Sequence, residues 1–298
     1  MATITWRGSV TATSSITHGG ETRGTITLLR RELVLTPDGQ PVHIPILSGN
    51  GFRGILRRTG EELLRETLDY AGQLPLAIAH ALRSGGSLAK TGREPLSGRR
   101  LATLRHLVPH IGVFGCAGGG RIIDGCLQVG KVIPHLAETR HLIHPTPAGP
   151  LLTAFTATQL ETYVRQDDTD THAFADFTAV RRVPVDPTTG EPDLDALELE
   201  DADSQLMLYR IETFPAGTRF ATWLKLSHAT DLEAAFFLDV LDTYAANARL
   251  GGRGAIGHGT VTLDLTPSTD DDPRTRVDWR THVTDNRDDA LTAMEALA

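Results

Sequence analysis

The chain has 298 residues, of which 40% are hydrophobic and 22% are charged, so it is expected to be globular with a substantial core. No apolar run is long enough to cross a membrane, and the first residues do not resemble a secretory signal. The two cysteines, Cys116 and Cys126, fit neither a zinc site nor a disulfide framework. We therefore expect a cytoplasmic protein without a metal site, a cofactor or a membrane partner.

Charge is distributed unevenly along the chain, although the net charge is −8. Residues 1–160 hold 17 Arg and Lys against 10 Asp and Glu, whereas residues 161–298 hold 12 against 27. Nearly all of the basic groups are arginine, whose guanidinium is suited to bidentate contact with phosphate. A basic first half and an acidic second half indicate a polyanion-binding face on a protein that is acidic overall.

The chain begins with two segments that predict strands, residues 3–16 and 24–37, because both are rich in β-branched residues. A helix pattern from about residue 52 to residue 69 follows the stretch Ser48-Gly49-Asn50-Gly51-Phe52-Arg53-Gly54. Ser48 and Asn50 are good N-cap residues, and the glycines allow close approach to the backbone. The free N–H groups at such a helix end attract anions such as phosphate.

Two arginines four residues apart, Arg53 and Arg57, lie on one face of this helix just above its N-terminus. In one interpretation they bind phosphate together with the helix amides. In the other the helix is simply capped, and the side chains of Arg57 and Arg58 pair with those of Glu61 and Glu62 at a spacing of four residues. The spacing alone leaves both interpretations open.

Further basic residues occupy two predicted insertions. The first, at about residues 70–110, contains a helix at 74–82 and a loop at 83–100 with five basic residues, including Arg99 and Arg100, against one acid. This loop is either a solvated connector or a lid that becomes ordered on a polyanion. The second insertion, at about residues 160–205, is acidic from residue 166 onward except for Arg181 and Arg182, and it predicts a projecting arm at residues 180–192.

The C-terminal part predicts strands at 206–213 and 219–226, joined in a hairpin by Phe214-Pro215-Ala216-Gly217-Thr218. A helix at 231–248 and a strand at 260–265 follow, and the acidic tail from 267 to 298 is expected to be loose with a short final helix. Without the insertions the order is βαββαβ, the ferredoxin-like pattern shared with RNA-recognition folds. We therefore expect an α+β fold in a single domain spanning residues 1–298.

A glycine-rich loop, residues 251–259, lies between the last predicted helix and strand and has five glycines in nine residues. Gly252-Arg253-Gly254-Ala255-Ile256-Gly257 satisfies the G-x-G-x-x-G pattern of dinucleotide sites. That pattern needs a preceding strand and a following helix, and here the order is reversed, which excludes a dinucleotide site. The loop either packs tightly against the sheet or approaches a ligand through its backbone.

Three features, in this order, resemble the RAMP superfamily of CRISPR proteins: the helix-opening stretch, Pro215-Ala216-Gly217-Thr218 and the glycine-rich loop. The resemblance is closest to the Cas-seven backbone subunits that polymerise along a guide RNA. The helix-opening stretch is similar to the G-x-S-x-[KR]-G motif of that family, with Gly49, Arg53 and Gly54 matching. Gly51 stands where the family has serine, so the serine's hydroxyl contact to phosphate is not implied here.

The resemblance extends over most of the chain, since Phe114-Gly115 with Leu127-Gln128-Val129 is similar to the segment after that motif. The arm at 180–192 stands where such subunits carry a thumb that kinks the guide. RNA-cutting type III members have an acidic residue in the loop before the helix motif, where this chain has residues 28–31 (Leu-Leu-Arg-Arg), with Glu32 adjacent. This departure and the small size favour the type IV branch, which is not expected to cut its target.

The resemblance implies a non-catalytic subunit that binds guide RNA (crRNA) and oligomerises along it in a helical filament. Its partners would be copies of itself, other CRISPR effector subunits and target nucleic acid. The aromatic content is 5%, which favours recognition of the RNA backbone over base stacking. The predicted RNA-binding residues are Ser48, Gly49, Asn50, Arg53, Arg57, Arg99, Arg100, Arg121, Lys131, Arg181, Arg182, Gly252, Arg253 and Gly254.

Two other functions are compatible with the sequence. The first is a metal-independent endoribonuclease of the same superfamily that processes guide RNA, with His18 or His258 as a general base. The second is a binding or scaffold module without nucleic acid, which the sequence pI near 5.8 would suggest.

Overall fold

The computed structural model describes residues 1–88, 96–165 and 207–297, and it is a mixed α+β protein. Its strands are β1 (Ala2–Ala12), β2 (Gly19–Arg23), β3 (Ile26–Leu29), β4 (Arg31–Leu35), β5 (Pro41–Pro45), β6 (Cys116–Gly118), β7 (Arg121–Ile123), β8 (Leu127–Val129), β9 (Ile133–Pro134), β10 (Gln159–Arg165), β11 (Met207–Thr213), β12 (Arg219–Ala229) and β13 (Val261–Pro267). Its helices are α1 (Gly49–Leu68), α2 (Leu76–Ser84), α3 (Gly98–Leu107), α4 (Pro109–Phe114), α5 (Asp231–Ala246), α6 (Trp279–Asp285) and α7 (Arg287–Met294).

The central sheet has the strand order β13-β1-β12-β8, and each neighbouring pair is antiparallel. Alternation along β1 buries Ile4, Trp6 and Val10 on one face of this sheet. Helices α1 and α5 contact each other, and their apolar side chains join these residues in one core. Strand β9 also pairs with β12, so the sheet has five strands, and the path β1-α1-β8-β12-α5-β13 builds a layer of helices on it.

The predicted central hairpin is wrong, because β11 and β12 are consecutive along the chain but belong to different sheets. Strand β11 pairs with β10 and β3 in a second sheet of order β10-β11-β3-β2. In the central sheet β12 lies between β1 on one side and β8 and β9 on the other, and β8 is only three residues long. A strand this short gives a weak alternation signal, whereas β11 with its turn residues looks like the first strand of a hairpin.

The chain between β10 and β11, residues 166–206, lies outside the described residues, and so do residues 89–95 of the basic loop. The predicted arm at 180–192, with Arg181 and Arg182, therefore has no structural description. Across the described ranges, no helix combines the length and apolar character that a membrane span requires.

The acidic C-terminal segment is packed rather than loose, contrary to the expectation from its composition. Trp279, Val283, Ala290 and Met294 are buried in the core, and the indole N–H of Trp279 donates to Asp239 Oδ2 at 2.8 Å. Two arginines in the preceding turn contact acidic side chains of this region: Arg274 contacts Asp239, Asp242 and Asp272, and Arg276 contacts Asp231 and Asp271. The ion pairs with Asp231, Asp239 and Asp242 join the segment to α5, and those with Asp271 and Asp272 neutralise part of the negative charge that had indicated a loose tail.

Candidate nucleic-acid interface

A pocket of about 540 Å³ lies at the N-terminus of α1, and the glycine-rich loop forms part of its wall. The structure thus brings together the helix-opening stretch and the loop that begins at Gly251, which are about 200 residues apart in the sequence. The lining includes three arginines and a histidine but no carboxylate among the described residues. The residues that carry its polar groups are His18, Ser48, Asn50, Arg53, Arg57, Arg58 and Ser84.

The N-terminus of α1 is held in place by contacts of its own cap. Ser48 Oγ accepts a hydrogen bond from the Gly51 amide at 3.0 Å, as the sequence predicted for an N-cap, and the Ser48 amide donates to His18 Nε2 at 3.2 Å. Burial and the nearby Arg30 lower the pKa of His18, which keeps this nitrogen free to accept. A Cβ on Gly49 would lie 2.6 Å from the carbonyl oxygens of Val129 and Gly130. Gly49 is therefore needed for helix–sheet packing.

Arg53 and Arg57 direct their guanidinium groups at the carbonyl oxygens that end α4. Nη2 of each arginine donates to the Phe114 oxygen at 2.6 Å, and Arg57 Nη1 donates to the Gly115 oxygen at 2.6 Å. Arg57 is buried, and burial together with Arg53 lowers its pKa to about 10, so it stays charged at neutral pH. The hydrogen bonds of Arg57 thus stabilise the turn after α4, a role that sequence reasoning did not identify.

The alternative pairing of Arg57 and Arg58 with Glu61 and Glu62 is also wrong. Glu61 is buried and accepts from Arg83 and from the Tyr70 hydroxyl, and Glu62 accepts from Arg83 at 3.2 Å. Arg58 is exposed at the pocket and has no carboxylate partner among the described residues. The pocket therefore has a positive charge at Arg58 that no described carboxylate compensates, whereas one of the two interpretations of the sequence paired this arginine with a glutamate.

The first residues of the glycine-rich loop are fixed by strand-like contacts with Thr17. Gly251 has φ +83°, and a Cβ there would lie 2.1 Å from the Thr17 carbonyl oxygen, so this position requires glycine. The Gly252 amide donates to the same oxygen at 2.8 Å, and the Gly254 oxygen accepts from Arg249 Nη1 at 3.0 Å. The amide of Gly252 is thus used within the chain, whereas a Cβ on Gly252 would meet nothing within 4 Å.

The remaining predicted RNA-binding residues lie away from this pocket or outside the described residues. Arg99 and Arg100 are exposed at the start of α3, and Arg121 Nη1 donates to the Leu96 oxygen at 3.1 Å. Lys131 forms an ion pair with Glu32, the acid beside the loop that precedes the helix motif. Arg253 is exposed, and its guanidinium lies over the ring of Tyr209.

The two histidines considered as general bases both have their Nε2 atoms engaged. His18 Nε2 accepts from the Ser48 amide, and His258 Nε2 contacts the Tyr163 hydroxyl. His258 is also buried, and it lies 3.6 Å from the Glu161 carboxylate. Neither nitrogen is available to take a proton from an approaching hydroxyl in this arrangement. Within the described ranges, no three His, Cys, Asp or Glu side chains come close enough together to hold a metal ion.

The fold and pocket define an α+β protein with a basic cleft at a helix N-terminus. No family model matches the sequence, and no curated protein matches it. Among solved structures, it is similar to a chain of a type IV-B CRISPR complex, with 34% sequence identity and a TM-score of 0.59. The match covers 90% of this chain and 92% of that chain. At this identity and coverage, the protein belongs to the same family as that CRISPR complex subunit.

Proposed function

We propose that this chain is a non-catalytic backbone subunit that binds guide RNA and assembles in repeated copies along it within a CRISPR effector complex. The observation that carries the proposal is the similarity, along nearly the whole chain, to a subunit of a type IV-B CRISPR complex. The position of the helix-opening stretch also supports it, because this stretch and Gly251, the first residue of the glycine-rich loop, line one basic pocket. The other subunits of the complex and target nucleic acid would be further partners, and the complex would work in the cytoplasm.

The strand order supports a ferredoxin-like core for this proposal. In the path β1-α1-β8-β12-α5-β13, the two strand–helix–strand halves interleave, so that the first and third strands lie in the middle of the sheet. This is the arrangement of the split βαβ unit. The second sheet and residues 166–206 would then be additions to the core, with the arm at 180–192 acting as a thumb.

We infer that the RNA backbone lies across the N-terminus of α1. The helix amides and the positive end of the helix dipole attract phosphate, and Arg58 adds a charge that no carboxylate of the described residues cancels. Ser48 and Asn50 border the same cleft, and Arg53 contributes its charge from the wall. Contact through phosphate would make binding independent of RNA sequence, as a subunit repeated along a guide requires.

The roles of the more distant basic residues follow from where they lie. Arg99, Arg100 and Arg121 would contact RNA or a neighbouring copy from outside the pocket, and Arg181 and Arg182 would contact RNA from the arm. Lys131 is held by Glu32, so it would bind phosphate only by exchanging that partner. Gly49 would act by letting α1 lie close to the backbone of Val129 and Gly130, whereas Gly252 and Gly254 would keep the surface of the loop free of side chains where RNA approaches.

The experiment that tests the proposal is purification of the chain after expression with a CRISPR array, followed by extraction of bound nucleic acid. We expect RNA of discrete length, removed by ribonuclease but not by deoxyribonuclease, in particles whose length increases with the length of the guide. A purified protein without RNA that remains monomeric when guide RNA is added would contradict the proposal and favour the scaffold alternative. Cleavage of labelled repeat RNA in the presence of a chelator would instead support the ribonuclease.

A further inference from the structure

Three planar groups lie next to one another beside the glycine-rich loop, and two of them, the rings of Tyr163 and Tyr209, are stacked. Tyr163 and Tyr209 face each other across β10 and β11, with ring centroids 5.5 Å apart and ring planes inclined by 16°. The guanidinium carbon of Arg253 lies 5.4 Å from the centre of the Tyr209 ring. The two tyrosines are half-buried, whereas Arg253 is exposed. We call these residues the Arg253 column, and the guanidinium forms its exposed end.

The other end of the Arg253 column is anchored by hydrogen bonds. The Tyr163 hydroxyl donates to Glu161 Oε2 at 2.7 Å and contacts Nε2 of the buried His258. Glu161 Oε1 also accepts from the hydroxyl of Thr213 at 2.8 Å. Because Tyr163 is held on both sides, the ring of Tyr209 is supported by a neighbour that has little freedom to move.

Arg253 occupies this position at some cost to its backbone. Its φ is +58°, in the left-handed region that non-glycine residues seldom adopt, although four glycines stand within five positions of it. Its guanidinium has no carboxylate partner among the described residues. The cation–π contact with Tyr209 holds the guanidinium in place, and its exposure leaves the planar group accessible to a flat ligand.

We propose that the Arg253 column is a nucleobase-stacking site, which takes one base of a single-stranded RNA against the exposed face of the Arg253 guanidinium. The inference rests on the proposed function and adds a base contact to the phosphate contacts described above. Gly251, two residues before Arg253, lines the pocket at α1, so the column lies next to the pocket in which we place the phosphates. Stacking uses the flat face that every base has, so it is compatible with a guide of any sequence.

Replacement of Arg253 by lysine separates stacking from charge, because lysine keeps the positive charge but has no planar group. The variants to compare are R253K, Y209L and the control R210K, which changes an exposed arginine on the opposite face of the same strand. Each variant is titrated with labelled oligoadenylate and with an abasic ribose-phosphate oligomer of the same length and charge. Thermal melting of each variant verifies that it is folded. Y209L removes the ring that holds the Arg253 guanidinium without changing a residue of the loop, so it tests the site even if R253K alters the loop.

We expect the wild type and R210K to bind oligoadenylate roughly tenfold more tightly than the abasic oligomer. R253K and Y209L should lose this preference while binding the abasic oligomer as tightly as the wild type does. An R253K protein that keeps the full preference would overturn the stacking site. If the wild type binds both oligomers equally, the stacking site is overturned but the proposed RNA-binding function still stands. If the wild type binds neither oligomer, both the stacking site and the proposed function are overturned.

Discussion

Arg57 and Arg253 are both arginines that the sequence assigns to RNA binding, yet the structure places them in opposite environments. Arg57 is buried, and its guanidinium donates to carbonyl oxygens of Phe114 and Gly115. Arg253 is exposed and lies on a tyrosine ring without a carboxylate partner in the described parts of the chain. Both arginines lie in or next to a glycine-rich stretch, yet the side chain of Arg57 stabilises the fold, whereas that of Arg253 is exposed and accessible to a ligand.

The strongest test of this contrast is the loss of each arginine. Arg57→Ala should lower the free energy of unfolding by about 3 kcal/mol, because it removes the arginine donor of the Gly115 oxygen and one of the two arginine donors of the Phe114 oxygen, and it opens a cavity. Arg253→Ala should change it by less than about 0.5 kcal/mol, since the side chain is exposed. Urea denaturation of both variants measures the difference. Equal stabilities would show that the Arg57 hydrogen bonds contribute nothing to the fold.

Alanine substitutions of Gly49, near Arg57, and of Gly252, next to Arg253, should also differ in their effect on stability. Gly49→Ala should destabilise the protein by about 1–3 kcal/mol, because its Cβ would press on the backbone oxygens of Val129 and Gly130. Gly252→Ala should leave stability unchanged, because a Cβ there meets nothing within 4 Å. Thermal melts of the two variants provide the measurement. A Gly49→Ala protein as stable as the wild type would mean that α1 can move away from β8 without cost.

Acid should weaken the buried region around Arg57 through His110. This histidine is buried, its Nε2–H donates to the Arg57 carbonyl oxygen at 3.2 Å, and burial with the charge of Arg57 lowers its pKa to about 3. The unfolded chain takes up a proton near pH 6.5, so the stability that neutral His110 contributes is complete above that pH and declines as pH falls towards 3. At pH 5 the loss should be about 2 kcal/mol relative to pH 7.

Urea denaturation at the two pH values measures this loss, and His110→Gln provides the control because glutamine does not titrate. The variant should lose about 2 kcal/mol less than the wild type between pH 7 and pH 5. If the two proteins lose stability in parallel, other groups cause the acid sensitivity.

The smallest expected effect concerns Arg58, the exposed arginine of the α1 pocket. Arg58→Ala should reduce the slope of log affinity for RNA against log salt concentration by about one unit, because one phosphate contact is lost. Arg65→Ala is the matched control, since Arg65 is exposed on the same helix but does not line the pocket. Affinities measured over a range of salt concentrations give both slopes. A change of equal size in Arg65→Ala would show that α1 contributes general charge and no defined site.

Local signals in the sequence predicted much of the fold because their physical causes lie within a few residues. The N-cap at Ser48 is formed as expected, and α5 occupies nearly all of its predicted range behind a capping box of Thr230 and Glu233. The element order around the glycine-rich loop, helix before and strand after, is also as predicted. The loop lines the pocket at α1 because β13 and α5 return it to the same end of the central sheet as α1.

The tertiary structure decided what depends on partners distant in sequence. Strand β12 takes β8 as its neighbour, Arg57 finds the carbonyl oxygens at the end of α4, and the buried Trp279 attaches the acidic tail to the core. Tyr163 and Tyr209 are paired across β10 and β11, and this pairing could not be predicted because residues 166–206 separate the two strands in the sequence. By itself, the sequence determined the elements and the basic character of one half of the chain, because propensity, capping and composition are local. Pairing and burial decided which arginines remain exposed and without a carboxylate partner among the described residues, since they depend on contacts that no short stretch encodes.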